Sequence, residues 1–204
     1  SFITDVFDDT VARRSLVAGS VALVAAALDP KVYGPALPSV QAAIRDRPQI
    51  EFVIVFLAVA GAALLLAGGA IGDSVRARPI IVGGLVVSLL ASLVGIVVTS
   101  GPLFIASRTV GHAAAAFVIP VSIALVATSY QGIARATAIG VAYGAYGAAG
   151  AAAPILLQLV PGVSAPAFIV SALACAGAIW VARDRISDLP RAVTAERPYI
   201  VGTA

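Results

Sequence analysis

The chain of 204 residues is 60% hydrophobic and only 11% charged, with a mean hydropathy of +1.03. Soluble domains carry about 25% charged residues, so this composition excludes a soluble globular protein and predicts a polytopic membrane protein. The formal net charge of +3 therefore gives no indication of nucleic-acid binding and is interpreted through its distribution among the loops. The one cysteine, Cys175, lies in an apolar run and is expected to pack as a small hydrophobic residue.

Six segments have the roughly 20 mostly apolar residues that a membrane-spanning helix requires. They are Leu16–Leu37, Ile50–Ile71, Pro79–Thr99, Leu103–Thr128, Ala136–Val160 and Ala165–Ala182. The connections between them are short, so neighbouring helices are predicted to run antiparallel and pack side by side. The predicted fold class is an all-α membrane protein in which residues 16–182 form a bundle of six transmembrane helices.

The two ends of the chain differ from this bundle in composition. Residues 1–15 lack the order of a signal peptide and predict a short, amphipathic cytoplasmic lead-in. Residues 183–204 begin polar and become apolar again after Pro198, as a cytoplasmic tail or a linker toward a further helix would.

The loop arginines are distributed asymmetrically. One side of the predicted topology holds Arg13, Arg14, Arg76, Arg78, Arg135, Arg183, Arg185, Arg191 and Arg197. The loops of the other side hold only Arg45 and Arg47. By the positive-inside rule both termini are expected to be cytoplasmic, and a bacterial inner (plasma) membrane is the expected location.

Two opposite charges are predicted at matching depth in the membrane. Asp29 lies near the outer end of the first predicted helix, and Arg108 lies just inside the outer end of the fourth. A rise of about 1.5 Å per residue places each roughly 10 Å from the outer surface. They are expected to pair directly or through water, either as a static ion pair or as a titrating pair that responds to conformation.

His112 follows Arg108 by one helical turn on the same face. Its imidazole could relay protons, or it could be a hydrogen-bonded packing residue. Lys31, two residues beyond Asp29, is expected to extend its ammonium group toward the membrane surface rather than toward a substrate.

The fifth predicted helix is rich in small residues. Its glycines are Gly140, Gly144, Gly147 and Gly150, and Pro154 follows them. Small residues at this spacing permit close helix contact, so the helix is interpreted either as tightly packed or as a sliding, hinge-prone element. Tyr143 and Tyr146 could line a cavity or simply reach hydrogen-bond partners.

The connection between the second and third helices, Gly69–Arg78, carries Asp73 with Arg76 and Arg78. These charges could join neighbouring helix ends on the cytoplasmic side, provided that they are partly buried. The sequence contains no Walker, HExxH, CxxC or nucleophile-elbow motif. Neither an enzyme, a metal site nor a cofactor is therefore expected.

With these residues in order, the chain resembles the amino-terminal six-helix half of a major facilitator superfamily transporter, and most closely the 14-helix drug:proton antiporter branch. The segment LDPKVYGPALPSV is similar to the first-helix pattern of that branch, and Asp29 matches the acidic residue of the pattern. GGAIGDSVRAR is similar to the loop signature of the superfamily through Gly69, Asp73 and Arg78, with Arg76 in place of a glycine.

Two further segments carry the resemblance. SRTVGHAAAAFVIPVSIAL is similar to the fourth-helix pattern, in which the arginine matched by Arg108 is implicated in proton coupling. YGAYGAAGAAAPILLQ is similar to the fifth-helix antiporter signature through Gly144, Gly147, Gly150 and Pro154.

The resemblance implies a half of a secondary transporter that exports a small amphipathic organic compound against protons by alternating access. Its expected partners are membrane lipid, protons, the substrate and a second helical bundle, from a longer chain or another subunit. The alternative is a transport-inactive, transporter-like subunit that acts as a scaffold in a larger membrane complex.

Overall fold

The computed structural model describes residues 9–31, 61–69, 76–97, 101–158 and 164–186. All regular structure in these ranges is helical, as predicted. The helices are α1 (Thr10–Lys31), α2 (described over residues 61–69), α3 (Ala77–Val97), α4 (Gly101–Ser129), α5 (Gly132–Gln158) and α6 (Ser164–Arg185).

Four helical segments in this part of the chain are long and apolar enough to cross a membrane: Thr10–Leu28, Ala77–Val97, Pro102–Ser129 and Gly132–Ile155. The predicted second span is described only over residues 61–69, and the predicted sixth span, which lies in α6, is not among these four. The count of six helices therefore remains a prediction, as does the cytoplasmic side of the termini.

Helix α1 begins six residues earlier than the predicted Leu16, because Asp9 caps it. The Asp9 Oδ1 atom accepts hydrogen bonds from the backbone N–H groups of Val11 at 2.8 Å and Ala12 at 3.3 Å. These bonds satisfy two of the donors that an uncapped helix start leaves unpaired. Residues 10–15, assigned from sequence to the lead-in, thus continue directly into the membrane-spanning helix.

The reversal between α4 and α5 takes only Tyr130 and Gln131, followed by Gly132 with φ of +54°. This left-handed conformation is strained for residues with a side chain and suits glycine. Helix α5 then runs through Pro154 without interruption to Gln158. Its proline lies within the helix rather than at its end.

Helix α4 packs against both α1 and α3, and these contacts depend on glycine. A Cβ atom on Gly19 of α1 would lie 2.6 Å from Val126 Cγ2, and one on Gly84 of α3 would lie 2.5 Å from Val118 Cγ2. Real Cβ atoms do not approach so closely, so the missing side chains allow the backbones to meet. The core between these helices is formed largely by alanine, leucine and valine.

One end of the bundle collects the arginines at the start of α1 and α3 and at the end of α6. Arg78 Nη2 donates a hydrogen bond of 2.9 Å to the Arg183 carbonyl oxygen, which joins the start of α3 to the end of α6. Arg13 and Arg14 of α1 line one cavity with Arg185. This arginine-rich end, defined by Arg13, Arg14, Arg78, Arg183 and Arg185, agrees with the predicted antiparallel arrangement.

Candidate functional site

Arg108 is 1% exposed, although its guanidinium group is cationic. It lies two turns into α4, and its Nη2 atom donates a hydrogen bond to the carbonyl oxygen of Ala91 on α3. Its Nε atom donates a weaker one of 3.4 Å to Ser107 Oγ. A buried charge is expensive in a membrane unless polar groups replace its water, and these acceptors are part of that replacement.

An aromatic side chain forms another wall of the Arg108 site. The ring of Phe168, on α6, is fully buried, and its centre lies 4.8 Å from Arg108 Cζ. Phe104, one turn before Arg108 on α4, meets the same ring edge to face at a centroid distance of 6.2 Å. The guanidinium therefore contacts the face of a ring that α4 itself helps to orient, a favourable cation–π arrangement.

Gly95 provides the space that this arrangement needs on α3. A Cβ atom there would lie 3.1 Å from the Phe168 ring and 3.3 Å from Arg108 Nη2. One turn earlier on α3, Ser92 Oγ donates a hydrogen bond of 3.1 Å to Ser171 Oγ of α6, and both serines are buried. The contacts described for Arg108 thus come from α3, α4 and α6, three helices held together at this level.

The other residues predicted to couple protons are only partly described. Asp29 belongs to α1, but its side chain, like that of Lys31, lies outside the described residues. The predicted pair of Asp29 and Arg108 therefore stays a prediction. His112 is half-buried one turn beyond Arg108 on α4, and its proposed relay role also stays a prediction.

The small-residue face of α5 is open within the described part of the chain. No described heavy atom lies within 4 Å of a Cβ placed on Gly140, Gly144 or Gly147. Gly150 and Pro154 are half-buried further along the same helix. Among the described residues, the closest glycine contacts are those of Gly19 and Gly84, and the role expected of the α5 glycines stays a prediction.

The two tyrosines of α5 contact each other edge to face, with ring centroids 6.4 Å apart. Tyr146 packs against a small core that includes Ala138 and Ala142, whereas Tyr143 is exposed. The pair therefore lies at the border between this core and the open face of α5. Its predicted role in lining a cavity stays a prediction.

The residues of the predicted loop motif are only partly described. Asp73 lies outside the described residues, Gly69 is the last described residue of α2, and Arg76 is exposed just before α3. Arg78 makes the hydrogen bond to the Arg183 carbonyl noted above. The terminal carbonyl oxygens of a helix carry partial negative charge and no intrahelical partner, so an arginine is a suitable donor there.

Comparison with known proteins identifies the fold family. The sequence model of the Major Facilitator Superfamily matches residues 19–199. The chain belongs to the major facilitator superfamily. One relative is the cephamycin export protein CmcT of Amycolatopsis lactamdurans, which is 34% identical over 122 residues, or 59% of this chain. The match covers 25% of the relative, so the matched part of this chain corresponds to about a quarter of that protein's length.

Members of the major facilitator superfamily are multi-pass integral membrane transporters of small molecules rather than enzymes. The resemblance drawn from the sequence is thereby confirmed at the level of the superfamily. The alternative of a transport-inactive scaffold is not favoured by a relative named as an export protein.

Sequence reasoning missed Ala91 and Phe168, which contact Arg108, and Gly95, which leaves the space for them. Carbonyl and aromatic partners carry no charge, so they leave no complementary signal in the sequence. The depth of the two residues in the bundle does give a signal for Phe168. Arg108 lies seven residues inside α4 and Phe168 four residues inside α6, and both helices start at the same end of the bundle. At about 1.5 Å per residue this places them within one helical turn of each other.

Proposed function

We propose that the protein forms the amino-terminal bundle of a proton-coupled exporter in the drug:proton antiporter branch of the superfamily. The observation that carries the proposal is the burial of Arg108 within α4, where its guanidinium touches the Ala91 carbonyl and the Phe168 ring. An intramembrane cation is by default a functional group, because keeping it there costs at least a few kcal/mol.

In this proposal Arg108 has two classes of partner. The Ala91 carbonyl and the Phe168 ring are neutral and belong to α3 and α6. Asp29 on α1, when ionised, offers a charge-assisted bond that is roughly twice as strong as a neutral one. Protonation of Asp29 removes that attraction, and the guanidinium keeps its neutral partners. Proton binding thus shifts the balance between two arrangements of α1 relative to α4.

Transport proceeds by alternating access, for which a second bundle packs against this one and the substrate site lies between them. The second bundle comes from a longer chain or from another subunit. The substrate is a small amphipathic organic compound, and the name of the relative makes a cephamycin the first compound to try. The location proposed is the inner membrane of a bacterium.

The test is substrate-dependent proton movement in everted membrane vesicles that contain the protein as the cell produces it. A pH-sensitive dye reports proton release when a cephamycin, or each member of a panel of amphipathic compounds, is added. Asp29→Asn should abolish the substrate-dependent signal, and Arg108→Lys should reduce it because an ammonium group lacks the planar fork of guanidinium.

Asp9→Asn is the matched control for Asp29→Asn, because it removes an acid at the arginine-rich end while asparagine remains an equally good helix cap. It should leave proton movement unchanged. Proton movement that persists in Asp29→Asn would remove Asp29 from the mechanism. A protein that moves none of the compounds and no protons would contradict the proposed function itself.

A further inference from the structure

A second charged site lies between the start of α1 and the end of α6, at the arginine-rich end. It is a cavity of about 400 Å³ lined by Arg13, Arg14, Trp180, Val181, Asp184 and Arg185. Three arginines and one aspartate give this lining a formal charge of +2. All four charged side chains are exposed, so the cavity is open to a ligand from outside the bundle.

An apolar strip of α6 leads away from this cavity. Leu173, Gly177, Trp180 and Asp184 follow one another at spacings of four, three and four residues, which places them on one face of the helix. Trp180 is 69% exposed and Leu173 is 67% exposed. Between them, no described heavy atom lies within 4 Å of a Cβ placed on Gly177. The strip is therefore a shallow depression between two bulky side chains that begins at the charged cavity.

We propose that this cavity binds the headgroup of an anionic phospholipid, whose acyl chain lies along the strip of α6. Guanidinium groups bind phosphate through paired hydrogen bonds, and basic pockets between transmembrane helices suit anionic headgroups. Tryptophan is favoured at the level of the headgroups, where its ring is apolar and its N–H reaches a polar partner.

The continuity of the two surfaces selects a lipid over a soluble anion. A free phosphate would use the arginines and leave the strip from Trp180 to Leu173 without a role. A phospholipid uses both, because its phosphate and its chain are joined as the cavity and the strip are. The bound lipid contacts α1 through Arg13 and Arg14 and α6 through Arg185. It therefore bridges α1 and α6.

Asp184 sets the strength of this site. Its carboxylate lines the same cavity and reduces the positive potential of the three arginines. Removing that carboxylate should strengthen the attraction for a phosphate, whereas removing an arginine should weaken it. These opposite effects distinguish a defined site from a general loss of structure.

The structure supplies its own reporter, because Trp180 is the one tryptophan in the chain. The protein is reconstituted in phosphatidylcholine nanodiscs that contain a small, fixed fraction of acyl-brominated phosphatidylglycerol or of acyl-brominated phosphatidylcholine. Bromine quenches tryptophan fluorescence at contact. Quenching of Trp180 should be stronger with the anionic lipid, and raised salt should reduce the difference.

Variants test the assignment of the arginines. Arg14→Gln should lower the association of the brominated phosphatidylglycerol about fivefold, the effect of losing one arginine near a charged surface. Arg135→Gln removes the same charge from an exposed position outside the cavity and should leave the association unchanged. Asp184→Asn should raise the association by a similar factor.

Three results would overturn the proposal, and none of them depends on transport activity. Equal quenching by the two brominated lipids would show that the cavity does not select a headgroup. Equal losses in Arg14→Gln and Arg135→Gln would show only a general surface potential. Displacement of the lipid by inorganic phosphate, at an ionic strength matched with sodium chloride, would assign the cavity to a soluble anion.

Discussion

The guanidinium carbon of Arg108 lies 4.8 Å from the centre of the Phe168 ring, so a cation on α4 is held against an aromatic side chain on α6. Both residues are almost completely buried. A cation–π contact that is removed from water contributes about 2 kcal/mol or more. The contact between Arg108 and Phe168 is therefore expected to stabilise the packing of α4 against α6.

Replacing Phe168 should destabilise the bundle measurably. Phe168→Leu keeps an apolar side chain but removes the ring from Arg108 and from Phe104, so a loss of about 2 kcal/mol in the free energy of unfolding is expected. The measurement is the midpoint of unfolding in detergent. Leu173→Ala, at an exposed position on the same helix, should change it by about 0.5 kcal/mol or less. Equal midpoints for the two variants would contradict the role given to the ring.

Two adjacent glycines of α3 should respond oppositely to the same substitution. Gly84→Ala places a methyl group 2.5 Å from Val118 Cγ2, whose β-branched side chain has little rotamer freedom in a helix. A loss of about 1–3 kcal/mol is expected. Gly83→Ala meets no described atom within 4 Å and should be stabilising by up to about 1 kcal/mol through helix propensity.

The double variant Gly84→Ala, Val118→Ala tests the cause of the Gly84 effect. Removing the valine methyl groups should restore part of the lost stability, so the two substitutions should not be additive. Additive losses would mean that the clash is not with Val118.

The serine pair between α3 and α6 should contribute only modestly. Ser92 Oγ and Ser171 Oγ are 3.1 Å apart. Hydrogen bonds between transmembrane helices average about 0.6 kcal/mol in double-mutant cycles, because the separated helices also find partners. The cycle of Ser92→Ala and Ser171→Ala should return a coupling of about this size. A coupling several times larger would mean that the pair holds α3 and α6 together.

Alkaline pH should destabilise the protein through Tyr130, in the connection between α4 and α5. Burial, and to a lesser extent the Asp9 carboxylate, raise the pKa of Tyr130 above its ordinary value of 10.0. The folded protein therefore retains the phenol proton to higher pH than the unfolded chain does. Its contribution to stability is complete below about pH 10 and is lost as the pH rises through the folded-state pKa.

Tyr130→Phe isolates this titration. The buried Tyr130 hydroxyl has no hydrogen-bond partner among the described residues, so the variant should be about as stable as the original protein near neutral pH. Above about pH 10 its unfolding free energy should fall less steeply. Parallel curves of stability against pH would exclude Tyr130 as the group responsible.

Hydrophobic length predicted the described helices closely where no cap intervened. The predicted span Pro79–Thr99 corresponds to the helix Ala77–Val97. The predicted span Leu103–Thr128 corresponds to the helix Gly101–Ser129. The start of α1 was predicted too late, because an apolar run cannot show that Asp9 turns its carboxylate onto the first backbone N–H groups. Local hydrogen bonds of this kind decide helix ends after hydropathy has placed the helix.

Of the site around Arg108, the sequence predicted the charged residue itself but not its uncharged partners. Arg108 was predicted to be a buried cation because an arginine within an apolar run is visible in the sequence, and burying its charge in a membrane costs free energy. Its contacts with the Ala91 carbonyl and the Phe168 ring were not, since any backbone carbonyl and any buried phenylalanine look alike in a sequence. Likewise, composition cannot separate Gly83, which has no described atom near its Cβ position, from Gly84, which faces α4.

The open glycine face of α5 has a consequence for motion. A helix surface made of side chains interlocks with its neighbour as ridges in grooves, and displacement requires those side chains to leave their positions. Gly140, Gly144 and Gly147 provide no such ridges and have no rotamers to order when something packs on them. If a partner packs on this face, we therefore expect it to lose less side-chain entropy there than on a face of larger residues, as the hinge-prone interpretation of α5 requires.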